Sequence, residues 1–287
     1  MIKTFKRALT DILIVLSIFA IAIMFTACGE HKHSFSSDWS ANETEHWHKV
    51  TCEHNEERLD VTSHIDTDND GKCDICKYII YTLSNVSTYE GLTIALASND
   101  KVIRLTGDVV VNAELKISSD VILDLNGKVI SNTADIWSTD IEPNTLSLIL
   151  VENNATLTVT GNGKILAKEN DCYGIYVKEG NLIFESGELR GNCSAIQVQK
   201  GTATILDGKF EDGQKYSVSG DTQYTYTLNL IDANHKDGSG KIIVKGGEFI
   251  NFNPADNKAE GQGTNFVAQG HKSVQIEGTT NYKVVAE

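Results

Sequence analysis

Two stretches decide the fold. Cys172-Tyr-Gly-Ile175-Tyr-Val177-Lys-Glu-Gly180-Asn-Leu182-Ile-Phe184-Glu-Ser-Gly187-Glu-Leu189 is matched 21 residues later by Cys193-Ser-Ala-Ile196-Gln-Val198-Gln-Lys-Gly201-Thr-Ala203-Thr-Ile205-Leu-Asp-Gly208-Lys-Phe210. In both, apolar residues alternate within short runs and glycines recur at the same places, so each copy holds three short strands with one inward row apiece. A unit this small buries its inner face only by stacking on copies of itself. Looser copies flank the pair. Ile242, Val244, Gly247 and Phe249 repeat the latter half, Ile149, Val151, Leu157, Val159 and Ile165 repeat the whole, and Leu123, Leu125 and Gly127 begin the series. Single coils stacked ~4.8 Å apart make an all-β, single-stranded parallel β-helix, with about six or seven coils and a length of ~30 Å between Val102 and Val285. A β-sandwich is the alternative, and the regular stacking of Gly and Ile argues against it. The first coil needs a cover, which the spacing places at about 87–97: Thr88 is an N-cap residue, and Leu92, Ala95 and Leu96 line one face of a short helix.

With its Leu123-Asp-Leu-Asn126-Gly127 turn, residues 79–287 resemble the right-handed pectate-lyase-like β-helix superfamily. The resemblance implies a fold that hosts lyases, hydrolases, tail spikes and adhesins alike. Polygalacturonases of this fold carry an Asp group with Gly-His-Gly and Arg-Ile-Lys segments. Here His271 sits in Gln-Gly-His-Lys, and Arg190 is the only arginine after Arg104. A lyase would need a basic residue beside carboxylates to take a proton next to a uronate. Asp207, Lys209 and Asp212 offer that set, but a solvated edge explains them as well, so no catalytic residue is assigned. Cys172 and Cys193 occupy equivalent places in adjacent coils, at a separation a disulfide accepts; a reduced stack of two small side chains is the alternative.

The 287 residues carry 25 Lys+Arg against 39 Asp+Glu, a formal charge of -14. A surface held to nucleic-acid phosphates is thereby excluded as an expectation. The start of the chain has its own signature. Lys3, Lys6 and Arg7 precede an apolar run from Ile12 to Phe25 that is too short for a bilayer core, which reads as a signal peptide over residues 1–27. Phe25-Thr26-Ala27-Cys28-Gly29 resembles the lipobox of bacterial lipoproteins, which implies lipidation of Cys28 and a protein exported and anchored at the bacterial cell surface. Removing residues 1–27 leaves 22 basic and 38 acidic residues, net -16, so the tether would be the lipid rather than a polybasic patch.

Residues 28–78 form a second territory. Six of the eight His (His31, His33, His46, His48, His54, His64) crowd there with Cys52, Cys73 and Cys76, a thiol number that disulfides alone leave unpaired. Cys73-Asp-Ile-Cys76 has the knuckle spacing with which two thiolates hold one tetrahedral zinc. Two further ligands are drawn from His46, His48, Cys52, His54 and His64, with Cys52 and either His48 or His54 as the natural pair on an extended segment. The stretch from His33 to Cys76 looks like a short His/Cys module of surface proteins in anaerobic gut bacteria, in which a CxxC follows His-Trp-His. Cys52-Glu53-His54-Asn55 stands in its place, which implies His54 in the role of a thiolate. Asp66, Asp68 and Asp70 before Gly71 copy the opening of a calcium loop, with Asp74 as a further ligand, but Lys77 holds the position where a full EF-hand needs Glu. A solvated acidic turn is the alternative.

Three long insertions, 131–146, 211–227 and 251–266, follow the same element of the coil. Insertions at equivalent positions stack along one edge. They bring Trp137, Tyr216, Tyr224 and Tyr226 together with Asp221, flat rings and a hydrogen-bonding carboxylate suited to sugars; packing of the rings against the coil is the other reading. The sequence therefore favours a non-enzymatic, adhesin-like surface lipoprotein that binds a polysaccharide or host glycan, with a polysaccharide lyase or glycoside hydrolase as the alternative, structural zinc as cofactor and calcium as a second candidate.

Overall fold

The structure, a computed structural model, describes residues 32–52, 57–67, 71–80, 83–98, 100–134, 136, 147–168, 172–213, 216–218, 221–224 and 226–287. Cys28 and the signal segment lie outside these residues. No helix among the described residues is long and apolar enough to cross a membrane. The chain divides into two compact units, Met1–Ile80 and Tyr81–Glu287.

The first unit holds β1 (Phe35–Ala41), β2 (Glu45–Val50) and β3 (Arg58–Ser63), an antiparallel sheet in that order. Asn42 closes the β1–β2 turn, its Oδ1 accepting from the N–H groups of Thr44 and Glu45 at 3.0 and 2.9 Å. This unit has almost no apolar core. Among its described residues the buried side chains are His46, Val50 and Cys73.

The second unit opens with β4 (Leu83–Val86), the helix Tyr89–Ala97, β5 (Val102–Leu105) and β6 (Val109–Val110). Thr88 caps the helix by accepting from the Gly91 N–H at 3.0 Å, and Leu92 and Ala95 are buried beneath it, as the spacing predicts. The chain then makes five passes through three parallel sheets. The passes are β7 (Leu115–Ile117), β8 (Val121–Asp124), β9 (Val129–Ser131); β10 (Ser147–Val151), β11 (Ala155–Thr160), β12 (Lys164–Leu166); β13 (Tyr173–Val177), β14 (Gly180–Phe184), β15 (Glu188–Gly191); and β16 (Ser194–Val198), β17 (Gly201–Ile205), β18 (Lys209–Asp212). After a small antiparallel pair, β19 (Tyr216–Val218) and β20 (Asp221–Tyr224), the fifth pass is β21 (Leu228–Leu230), β22 (Gly240–Val244) and β23 (Glu248–Phe249), with the short helix Asp232–Asp237 between its first two strands. Each strand pairs in parallel with its counterpart one pass earlier, giving sheets ordered β21-β16-β13-β10-β7, β22-β17-β14-β11-β8-β5-β4 and β23-β18-β15-β12-β9-β6.

The register explains the core. Leu115, Ile149, Ile175, Ile196 and Leu228 stand in one row, Leu123, Val159, Phe184, Ile205 and Val244 in a second, and Ile130, Ile165, Leu189, Phe210 and Phe249 in a third. All fifteen are buried and belong to one cluster. Phe210 lies between Phe184 and Phe249, with ring centroids 4.9 and 5.1 Å away. Where the first sheet hands over to the second, Gly180, Gly201 and Gly240 form a column. Gly201 has φ +105°, and a Cβ there would meet the Gly180 carbonyl oxygen at 1.8 Å, so only glycine fits.

One expectation changes. Residues beyond Phe249, expected to continue the coils to Val285, instead form β24 (His271–Gln275) and β25 (Tyr282–Ala286), a hairpin whose second strand runs antiparallel to β23. Cys172 and Cys193 are neighbours, the Cys193 N–H donating to the Cys172 carbonyl at 3.2 Å, but both remain thiols. The Cys172 Sγ lies 3.4 Å from the Tyr173 carbonyl.

The ring column gives a quantitative expectation. Phe210→Ala removes the middle ring of three and should cost about 4 kcal/mol, whereas Phe210→Leu should cost about 1.5 kcal/mol or less, both read from urea unfolding monitored on the second unit.

Candidate metal centre

The middle strand of the first unit places one ligand. His46 pairs with Ala41 on β1 and Thr62 on β3, and its side chain is fully buried. His64 follows β3 directly. The segment after it folds back through backbone bonds from the Asp74 N–H to the Ile65 carbonyl at 2.7 Å, the Cys73 N–H to the Tyr78 carbonyl at 2.9 Å and the Lys77 N–H to the Cys73 carbonyl at 2.9 Å. Lys77 has φ +60°, and this tight turn carries Cys73 and Cys76 inward.

The donor atoms of His46, His64, Cys73 and Cys76 all lie within 4.8 Å of one another. Cys73 Sγ is 3.7 Å from His46 Nδ1, and Cys76 Sγ is 3.5 Å from His64 Nδ1. A tetrahedral ion with sulfur at ~2.3 Å and nitrogen at ~2.0 Å sets S and N about 3.5 Å apart, so the spacing fits a bound ion. The opposite ring nitrogens are occupied. His46 Nε2 meets Thr62 Oγ1 at 3.0 Å, and His64 Nε2 donates to the Asn42 carbonyl at 2.8 Å. The His64 contact leaves its Nδ1 lone pair facing Cys76, and the Thr62 hydroxyl anchors the His46 ring with its Nδ1 toward Cys73, the outer arrangement that orients imidazole ligands. Tyr78 stacks on His64 at 5.0 Å, and Trp39 meets His46 edge-on at 4.5 Å.

The two thiols differ. Burial opposes ionisation of Cys73, but backbone N–H groups and the His64 ring outweigh it and bring this thiol down to about 6. Burial and the adjacent Cys73 charge push Cys76 up. The His64 ring is raised, first by its bond to the Asn42 carbonyl. Cys73 thus ionises more readily than Cys76, which burial and the Cys73 charge hold protonated and which a bound cation would favour as thiolate.

The remaining sequence candidates fall elsewhere. The pair expected from Cys52 with His48 or His54 is replaced by His46 and His64. His48 stacks on Trp39 at 3.9 Å, with its Nδ1 3.4 Å from the Asp38 carbonyl, and Cys52 lies at the far end of β2. His54, Asp68, Asp70 and Trp137 lie outside the described residues. Asp66 accepts from the Gly71 N–H at 3.0 Å, and Asp74 accepts from the N–H and hydroxyl of Thr67 at 3.0 and 2.6 Å, so both carboxylates brace the loop leading to the cysteines. The strands containing Tyr216, Asp221 and Tyr224 are described but their side chains are not. Tyr226 packs partly buried against the core, its N–H bonded to Asp212 at 3.1 Å. Sequence reasoning missed Thr62 and Asn42, because a supporting hydroxyl or carbonyl has no spacing signature.

No protein-family model matches the chain, and no curated protein or solved structure matches it either.

The geometry separates neighbours in sequence. His46→Gln should abolish metal binding, whereas His48→Gln should leave one metal per chain, as read by native mass spectrometry. Ligands bind deprotonated, so affinity should fall with pH. Near neutral pH, Cys73 is ionised and binding releases the Cys76 proton with the proton of the raised His64 ring; below about 6, the Cys73 proton must also leave, so calorimetry in buffers of differing ionisation heat should show proton release per metal rising.

Proposed function

We propose that this is an exported, lipid-anchored surface protein in which a zinc-held module precedes a right-handed parallel β-helix that binds glycan without turning it over. Zinc is the metal that two thiolates and two imidazoles in a closed tetrahedron suit best, and four protein ligands suit a structural site rather than a catalytic one. With so few apolar side chains buried in the first unit, the ion would supply its folding energy.

The carrying observation for the binding role is topological. Segments 132–146, 213–227 and 250–266 follow β9, β18 and β23, all strands of the same sheet. β18 and β23 are neighbours, and β9 lies three strands away, about 14 Å at ordinary strand spacing. An edge that long suits an extended saccharide more than a single ring. Binding is favoured over lysis because the carboxylates suggested for catalysis are engaged: Asp207 accepts from the Gly208 N–H at 2.8 Å and Asp212 from the Tyr226 N–H. Lys209 is exposed and pairs in register with Glu188 and Glu248. Anchoring through Cys28 rests on the sequence around residues 25–29.

A glycan array run with the mature chain, together with assays for released reducing ends and unsaturated uronates, tests the reading. Binding without product is expected, and Trp137→Ala and Tyr224→Ala should each weaken the array-identified glycan by about tenfold. Product release would favour a lyase or hydrolase. Cys28→Ser should move the protein from the membrane fraction to the soluble one.

A further inference from the structure

At the end of the first sheet opposite the metal ligands, three titratable side chains meet. His33 precedes β1, Cys52 follows β2 and Glu57 precedes β3, so the antiparallel order brings the three together. The β1–β2 pairing runs on past the strands: the Thr51 N–H donates to the Ser34 carbonyl at 2.8 Å, and their hydroxyls meet at 2.9 Å. His33 and Cys52 come next on either side. His33 Nδ1 stands 3.3 Å from Cys52 Sγ, and His33 Nε2 stands 3.1 Å from Glu57 Oε1.

These distances describe a relay rather than a chelate. The two ring nitrogens point away from each other, so Cys52 and Glu57 cannot share one ion with His33. A carboxylate at Nε2 holds the ring proton there and leaves the Nδ1 lone pair toward the thiol, the arrangement of nucleophile, base and orienting group. Cys52 is half-buried, and the His33 and Glu57 side chains are 22% and 57% exposed, so a small molecule can reach the sulfur. Six residues of β-structure separate His46 from Cys52, about 20 Å, which places the thiol well away from Cys73 and Cys76.

We propose that Cys52, activated by His33 and oriented through Glu57, is a thiol-exchange site for low-molecular-weight disulfides. The Cys52 proton passes to His33 Nδ1, and the thiolate attacks one sulfur of R–S–S–R. The old S–S bond breaks as the Cys52–S–S–R bond forms, and the departing RS⁻ takes the proton from the imidazolium. The small disulfide is reduced to one thiol while Cys52 becomes the oxidised partner, so electrons and protons balance. Among the described residues the other thiols of this unit, Cys73 and Cys76, lie at the opposite end of the sheet, so the mixed disulfide stays as a modification.

The test uses the metal-loaded mature chain treated with cystine and, separately, iodoacetamide, with each cysteine followed by peptide mapping. Cys193, also half-buried, is the internal reference. Cys52 should react about tenfold faster than Cys193, and His33→Asn should bring it to about the reference rate. Glu57 is a positioning residue: Glu57→Gln should slow the reaction and Glu57→Asp should restore most of it. Metal content measured on each variant reports whether the unit is folded, and the wild-type ratio of Cys52 to Cys193 decides the matter even where a variant fails. Equal rates at Cys52 and Cys193, a rate unaffected by His33→Asn in a metal-loaded variant, or a second bound metal that disappears with Cys52→Ser would each overturn the proposal.

Discussion

In-register parallel pairing is the constraint on which the larger unit depends. Once Ile175 stands beside Ile196 and Leu189 beside Phe210, every inward residue of one pass lands on its counterpart, and a slip of one residue would turn an entire row outward. The glycine column tightens this further. Because no side chain fits at Gly201, the handover between sheets occurs at one fixed place in each pass, and the strand lengths on either side follow from it. Gly187, Gly208 and Gly247, all at positive φ, mark the next handover in the same way. Apolar burial drives the stack, but the backbone at these corners sets its register.

The smaller unit solves a different problem. Three strands with one buried valine cannot offset the conformational entropy of ordering fifty residues by hydrophobic burial. The sheet instead holds one imidazole on its central strand and a second just past its edge strand, and the following loop brings two sulfurs to meet them. Thr62 and Asn42 complete the arrangement by fixing both rings before any ion arrives. The asymmetry between Cys73 and Cys76 has the same logic, since a site that ionises one sulfur easily and the other with difficulty gains most from a doubly charged ligand.

What could be read from the sequence reflects these two regimes. The 21-residue match between the Cys172 and Cys193 stretches is the observed pairing of β13, β14 and β15 with β16, β17 and β18, because a repeat records its own contacts. The capping helix was also legible, since Thr88 and the Leu92–Ala95 spacing act locally. The metal ligands were legible as a set but not as a choice. By strict alternation His46 and His48 would share a strand face, but the β2–β3 register shifts between them, Trp39 stacks on His48, and the turn carrying Cys73 and Cys76 reaches His46. The terminal hairpin escaped for a similar reason: the Val284-Val285 pair in β25 is β-branched like the inner strands, and its antiparallel direction is set by a reversal at residues 276–281 and by its partner β23.

That hairpin shows how a stack of parallel strands ends. Each terminal strand leaves unpaired N–H and C=O groups that would template another chain. At the first end, the helix Tyr89–Ala97 buries Leu92 and Ala95 against the opening strands, so an apolar surface is covered by a different kind of element. At the last end, two sheets are blocked in separate ways. β25 occupies the edge of β23 in the antiparallel sense, while Val244 of β22 is bridged to Val267, just past the long 250–266 connection. Reversing direction breaks the repeat. β25 is followed across the hairpin by β24, the terminal strand of this sheet, which buries no side chain and exposes Lys272. The ladder therefore stops where direction and burial change together: β25 runs antiparallel to β23 and buries only Val284, and β24 buries no side chain, so neither offers the inward row on which a further pass would stack.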